Sequence, residues 1–117
     1  MNITFRLDGK DYNGYLKDMR LNDEICSAFP AALEFERGGD REYYTLMDIV
    51  PEVHDACRTS KVERNGIYWF PEWRALCVVM SDTDISPYTV IHLGDMDDDL
   101  AAAIENRGCR IMMEVMD

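Results

Sequence analysis

An acidic run, two histidines, four cysteines and one aromatic cluster are the features of this sequence whose side chains could do chemistry. In Asp95-Met96-Asp97-Asp98-Asp99, carboxylates fall at positions one, three and five of a calcium loop. Such a loop needs glycine at its sixth position and glutamate at its twelfth; here those places hold Leu100 and Asn106. The same residues make a good helix start, with Asp97 as the cap and Asp98 and Asp99 on the positive end of the helix dipole. That reading accounts for the run without an ion, so no metal and no cofactor are expected.

His54 and His92 could each act as a base, but neither has a partner at a recognised spacing. The chain has no GxSxG elbow, no HExxH and no phosphate-cradling glycine loop, and no catalytic residue is assigned. Cys26, Cys57, Cys77 and Cys109 lie far apart, with no CxxC pair, which excludes the usual zinc and thioredoxin-like spacings. Cys77, in the apolar run Ala75 to Met80, and Cys26 read as small buried hydrophobes. Four free thiols point to a reducing cytoplasm.

The aromatic cluster is the richest feature. Tyr68, Trp69, Phe70 and Trp73 flank a Pro71 turn and could form an apolar platform for a peptide or small molecule. Strand alternation sends Tyr68 and Phe70 to one face and Trp69 to the other, so one set belongs to the core and the other could be exposed. Tyr43 and Tyr44 divide in the same way. These four residues, Tyr68, Trp69, Phe70 and Trp73, are the candidate binding set. Met112, Met113 and Met116 either fill gaps in the core or, where outward, offer an edge for dimerisation.

The elements that must hold these residues are short. Length favours one domain spanning residues 1–117, and a chain of 117 residues can build a core without metals or disulfides. The net charge of -11 argues against nucleic acid and anionic membranes, and permits a cationic ligand or basic partner. The opening MNITFRLDGK has no apolar run after its first charge, so no signal peptide is expected, and no stretch is long and apolar enough for a spanning helix.

Ile3, Phe5 and Leu7 alternate with polar residues, Asp8-Gly9 turns the chain, and a second strand follows to Leu16 with a bulge or corner at Gly14. Asn22 is expected to cap a short helix that Pro30 ends. Strands follow at Leu33–Phe35 and Tyr43–Met47, then a helical turn and loop over 48–65. Further strands are expected at Gly66–Phe70, at Ala75–Met80 with both faces buried, and at Tyr88–Leu93 ended by Gly94. The Asp97 helix stops at a left-handed Gly108, and a last strand runs from Cys109 to Met116. About eight strands and two short helices result, and strands so short protect their edges best by closing. The fold class expected is a mostly β, small closed antiparallel barrel with two short helices.

Gly66-Ile67-Tyr68-Trp69-Phe70-Pro71, then Leu76-Cys77-Val78-Val79, then Pro87, Val90-Ile91-His92-Leu93 and Gly94-Asp95-Met96 together resemble the small bacterial and archaeal cyclophilin-like barrel proteins, a family of largely unassigned function. The opening hairpin, the helix carrying Ala28-Phe29, and Pro30 leading into Leu33-Glu34-Phe35 look similar too. The resemblance implies a cyclophilin-like barrel but not cyclophilin's activity. Prolyl isomerisation there relies on a Phe-His-Arg strand and a glutamine. Here the one Phe-Arg pair is Phe5-Arg6, and the chain has no glutamine. The expected function is therefore a non-catalytic binding domain with an aromatic-lined groove for a peptide or small apolar ligand. The alternatives are a vestigial or atypical prolyl isomerase and a pure oligomerisation module, with the chain a monomer or a homodimer.

Overall fold

Asp8 and Gly9 both take positive φ, 52° and 80°, and Leu7 pairs with Lys10 across them. This is the two-residue turn whose twist matches that of antiparallel strands, so the first strand folds straight back on the second. The computed structural model describes residues 1–54 and 56–117. In chain order the elements are β1 (Asn2–Leu7), β2 (Lys10–Leu16), α1 (Arg20–Cys26), β3 (Ala31–Gly38), β4 (Glu42–Leu46), β5 (Lys61–Val62), β6 (Gly66–Phe70), β7 (Ala75–Val79), β8 (Thr83–Asp84), β9 (Ile91–Met96), α2 (Asp98–Ile104) and β10 (Arg110–Met116). Eight strands close into an antiparallel barrel in the order β1-β10-β3-β4-β7-β6-β9-β2, while β5 and β8 pair with each other outside it.

Alternation fills the barrel. Ile3, Phe5 and Leu7 of β1 point inward, as do Phe35, Tyr43, Ile67, Trp69, Leu76, Val78, Ile91, Leu93, Ile111, Met113 and Val115. Each fully buried large side chain of this kind contributes about 1.5–3 kcal/mol. α1 joins β2 to β3 and α2 joins β9 to β10, and the antiparallel pairings place these joints at opposite ends of the barrel. Leu21, Ile25 and Cys26 plug one end, and Leu100, Ala101 and Ile104 the other.

The helix ends differ in part from expectation. α1 is capped at Met19, and Asn22 lies within the helix, fully buried. Its Nδ2 donates to the carbonyls of Lys17 (2.7 Å) and Leu93 (3.0 Å), tying the helix to β9. A short amide suits a cap and a buried cross-link equally well, so residue type alone did not separate them. Asp97 does sit at the N-cap of α2, although its side chain makes no capping bond. Gly108 is not in the left-handed region. Arg37 stops α2 instead: it donates to the carbonyls of Glu105 (2.8 Å) and Arg107 (3.1 Å) and to the Tyr43 hydroxyl (3.0 Å), which donates to the Gly108 carbonyl (2.7 Å). The orphan carbonyls of the helix end are satisfied from the barrel wall.

Gly94 does not end a strand but sits inside β9, opposite Leu16. A Cβ there would lie 2.1 Å from the Tyr15 carbonyl oxygen, so only glycine lets β2 and β9 approach this closely. Gly14 faces Ile3 and Phe5 across the same corner.

Over the described part of 48–65 no helix forms, and the turn expected there amounts to one backbone bond, from the Ala56 N–H to the Val53 carbonyl (3.1 Å). β4 and β6 flank β7 and pair antiparallel with it, so they run in the same direction; β7 and β9 flank β6 in the same way. Strands that run in the same direction need a crossover that returns along the length of the sheet. The crossovers over 47–65 and 80–90 both lie outside the barrel and pair through β5 with β8 and through Thr59 with Val90. They cover a second apolar cluster of Val62, Tyr68, Ala75, Cys77, Val79 and Val90. This explains the unbroken apolar run of β7: Leu76 and Val78 face the barrel core, and the alternate residues face the crossovers.

Gly94→Ala should destabilise the fold by more than about 3 kcal/mol, since the clash is with backbone. Gly14→Ala, whose added methyl meets side-chain atoms of Ile3 (2.9 Å) and Phe5 (3.0 Å), should lose about 1–2 kcal/mol. Urea unfolding compares the two, and equal losses would refute the backbone-approach account. Arg37→Leu should lose about 2 kcal/mol in the same experiment by stripping the α2 carbonyls of their donors.

Candidate ligand-binding cleft

The paired crossovers do not lie flat on the barrel. Between them and the outer faces of β4, β6 and β7 they leave a cleft of about 420 Å³. Ala75, Cys77 and Val79 form its floor, with Tyr68 from β6 and Tyr44 from β4. Val62, Ile85 and Val90 close it from the crossover side. The volume falls within the range of small-molecule sites, and the mixture of an apolar lining with few polar groups is also typical of them.

One end of the cleft is aromatic. Phe70 and Trp73 stack face to face, with ring centres 5.0 Å apart and planes 4° from parallel. Tyr88, from the second crossover, tilts against Phe70 at 6.1 Å. Trp73 and Tyr88 are 60% and 58% exposed, enough to offer ring faces to a ligand. A shallower hollow on the other side of this wall is lined by Glu72, Pro87 and Thr89.

The polar groups are Arg41, Glu42, Asp84 and Ser86. Arg41 Nε donates to Glu42, whose side chain is mostly buried. Asp84 Oδ1 accepts both the backbone N–H (2.9 Å) and the hydroxyl (2.6 Å) of Ser86, which hold its carboxyl below the ordinary range. Burial pushes the Cys77 thiol well up, reinforced by the Glu42 charge, so this floor residue is a poor nucleophile. Burial also raises Tyr68, whose hydroxyl accepts the Glu63 N–H. Tyr44 is raised chiefly by its hydrogen bond to Glu36.

Of the four residues named from sequence, Tyr68, Phe70 and Trp73 line the cleft. Trp69 does not: alternation turns it into the barrel, where it is 1% exposed. Tyr44, Tyr88, Arg41, Glu42 and Asp84 escaped the sequence reading. The alternation of Tyr43 and Tyr44 was the one signal for any of them: Asp84 and Tyr88 depend on where the second crossover lies, and Arg41 and Glu42 on which outer face of the barrel that crossover covers.

The remaining chemical features lie elsewhere. His92 is outside the cleft, with Nε2 3.1 Å from Asp95 Oδ1 and its ring 5.1 Å from that of Tyr68. His54 borders a hollow of about 160 Å³ with Met19, Arg20 and Glu52, and Asp55 beside it in sequence lies outside the described residues. In the acidic run, Asp98 accepts from Arg64, which also binds Glu105. Among the described residues, no group of three or more His, Cys, Asp or Glu side chains is placed to hold a metal. Cys26 and Cys77 are buried, Cys57 and Cys109 exposed, and all four are free. Met113 faces the core, Met112 is exposed and Met116 is half-buried. Among the described residues, no helix is long and apolar enough to cross a membrane.

No curated protein matches this sequence. Among solved structures, the chain is similar to a hypothetical protein from Archaeoglobus fulgidus known from its solution structure. The TM-score is 0.74 at 17% identity, over 99% of this chain and 93% of that one. At such identity the likeness speaks to fold. A sequence model described as the cyclophilin-like family matches residues 5–114, nearly the whole chain, a span that takes in both crossovers and all of the barrel but the outer ends of β1 and β10. By that match the protein belongs to the cyclophilin-like family.

Proposed function

We propose that the protein is a non-catalytic binding domain that takes a small, partly apolar ligand in the cleft between its barrel and its paired crossovers. The observation that carries this reading is the cleft itself. Its floor is apolar, three aromatic rings stand at one end, and the few polar groups converge at its edge. An aromatic wall of this kind binds flat or aliphatic groups by dispersion and area burial, with little ordering to be done at the moment of binding. The groups best suited to chemistry do not favour an enzyme. The Cys77 thiol is held protonated, and His92 pairs with Asp95 outside the cleft. Four free thiols suit a reducing compartment, and on that ground we place the protein in the cytoplasm.

A fragment screen by amide-resolved NMR tests this. Aromatic and aliphatic fragments should shift the amides of Tyr44, Cys77, Val79, Ile85 and Tyr88, and Trp73→Ala should weaken the best of them about fivefold to tenfold, the worth of one stacked ring. Shifts confined to other surfaces, or none at millimolar fragment, would end the reading.

One observation favours the isomerase alternative: an arginine, Arg41, does line the aromatic cleft. Its Nε is already committed to Glu42. In a protease-coupled assay with a proline-containing tetrapeptide, micromolar protein should give no acceleration; a rate increase abolished by Arg41→Ala would replace the binding reading with an enzymatic one.

A further inference from the structure

We infer that the ligand of the cleft is an amphiphilic organic cation, an amine carried on a flat or aliphatic body. This rests on the cleft being a ligand site. Three charged residues line it, and two of them are acids: Glu42 and Asp84 against Arg41. Arg41 already donates to Glu42, so these two charges largely offset each other and, among the described residues, Asp84 is left as the acid without a cationic contact. Asp84 is bound only by its neighbour Ser86, through one oxygen; among the described residues, Oδ2 has no hydrogen-bond partner. Lys61 lies across the β5–β8 ribbon from Asp84, and its charge helps to hold that carboxyl down, but the two form no direct ion pair among the described residues and Lys61 does not line the cleft.

The aromatic rings work in the same direction. Trp73 and Tyr88 present exposed π faces, and an ammonium is drawn to such faces while a carboxylate is repelled. The chain's net charge of -11 adds a broad negative field that raises the local concentration of cations and opposes anions. An anionic ligand would have to compete with Glu42 for Arg41, against that field. A neutral ligand would leave Asp84 hydrated and contribute only area. A cation with an apolar body uses all three features at once: the body on Val79, Cys77 and the ring wall, the ammonium toward Asp84.

Three probes with one phenyl body separate the possibilities: 2-phenylethylamine, 2-phenylethanol and 3-phenylpropionate, each titrated into the full chain and followed by the cleft amides. The amine should bind at least about threefold tighter than the alcohol, the worth of one exposed ion pair, and the carboxylate weakest. Molar salt should shrink the gap between amine and alcohol. Asp84→Asn should remove most of the amine's advantage over the alcohol, and Glu42→Gln, which releases Arg41, should narrow it as well and strengthen the carboxylate. If all three probes bind the cleft equally, the cleft remains a ligand site and the cation inference is overturned. If the carboxylate binds tightest, Arg41 is the anchor and the inference is likewise overturned. If none shifts the cleft amides, the reading of the cleft as a site falls, and the inference with it.

Discussion

Two connections in this chain must run the length of the barrel on its outside, because each joins strands that point the same way. β4 and β6 share a direction on either side of β7, and β7 and β9 share one on either side of β6. An antiparallel barrel could be built of hairpins alone, and this one is not. The covered outer face, the second apolar cluster and the cleft all follow from that departure. Had β6 followed β4 directly in space, Cys77, Val79 and Tyr68 would face water, and an apolar sequence such as Ala75–Met80 would be a liability on a surface.

The barrel ends are handled differently from its side. α1 is tied down by a buried amide, Asn22, bridging to the backbone at Lys17 and Leu93. α2 is held by cations: Arg37 at its last carbonyls and Arg64 at Asp98 and Glu105. Nine of the chain's twelve basic residues are arginines, and two of them converge on one seven-residue helix. A helix so short has little intrinsic stability, so docking and end contacts decide whether it forms.

What could be seen in the sequence was whatever rests on local pattern. The Asp8-Gly9 hairpin, the Asp97 helix start and the division of Tyr68 and Phe70 from Trp69 all follow from turn chemistry and a period of two. Which side of that division met the core was not written there, because the outer face is apolar as well. Gly94 looked like a terminator, since the sequence does not reveal that another backbone passes within reach of its absent side chain. Asn22 looked like a cap because its partner Leu93 is far away along the chain. Arg41, Asp84 and Tyr88 were invisible as site residues for the same reason: the start of β4 and the 80–90 crossover are far apart along the chain and line one cleft only in the folded barrel. The family resemblance carried the architecture across these gaps and could not carry the cleft.

The crossover wall is stitched by a ladder of two residue pairs and a single bridge, whereas the barrel beneath has an unbroken ring of strand pairings. With so few backbone pairings, local opening of the ribbon should draw on less free energy than opening of the barrel. Substitutions at the exposed Asp84, Ser86 and Tyr88 of the 80–90 crossover can reshape one side of the cleft while the buried Met80 and Val90 keep the segment anchored. The shape of the cleft can therefore change through a few crossover residues, with the barrel serving as a constant chassis.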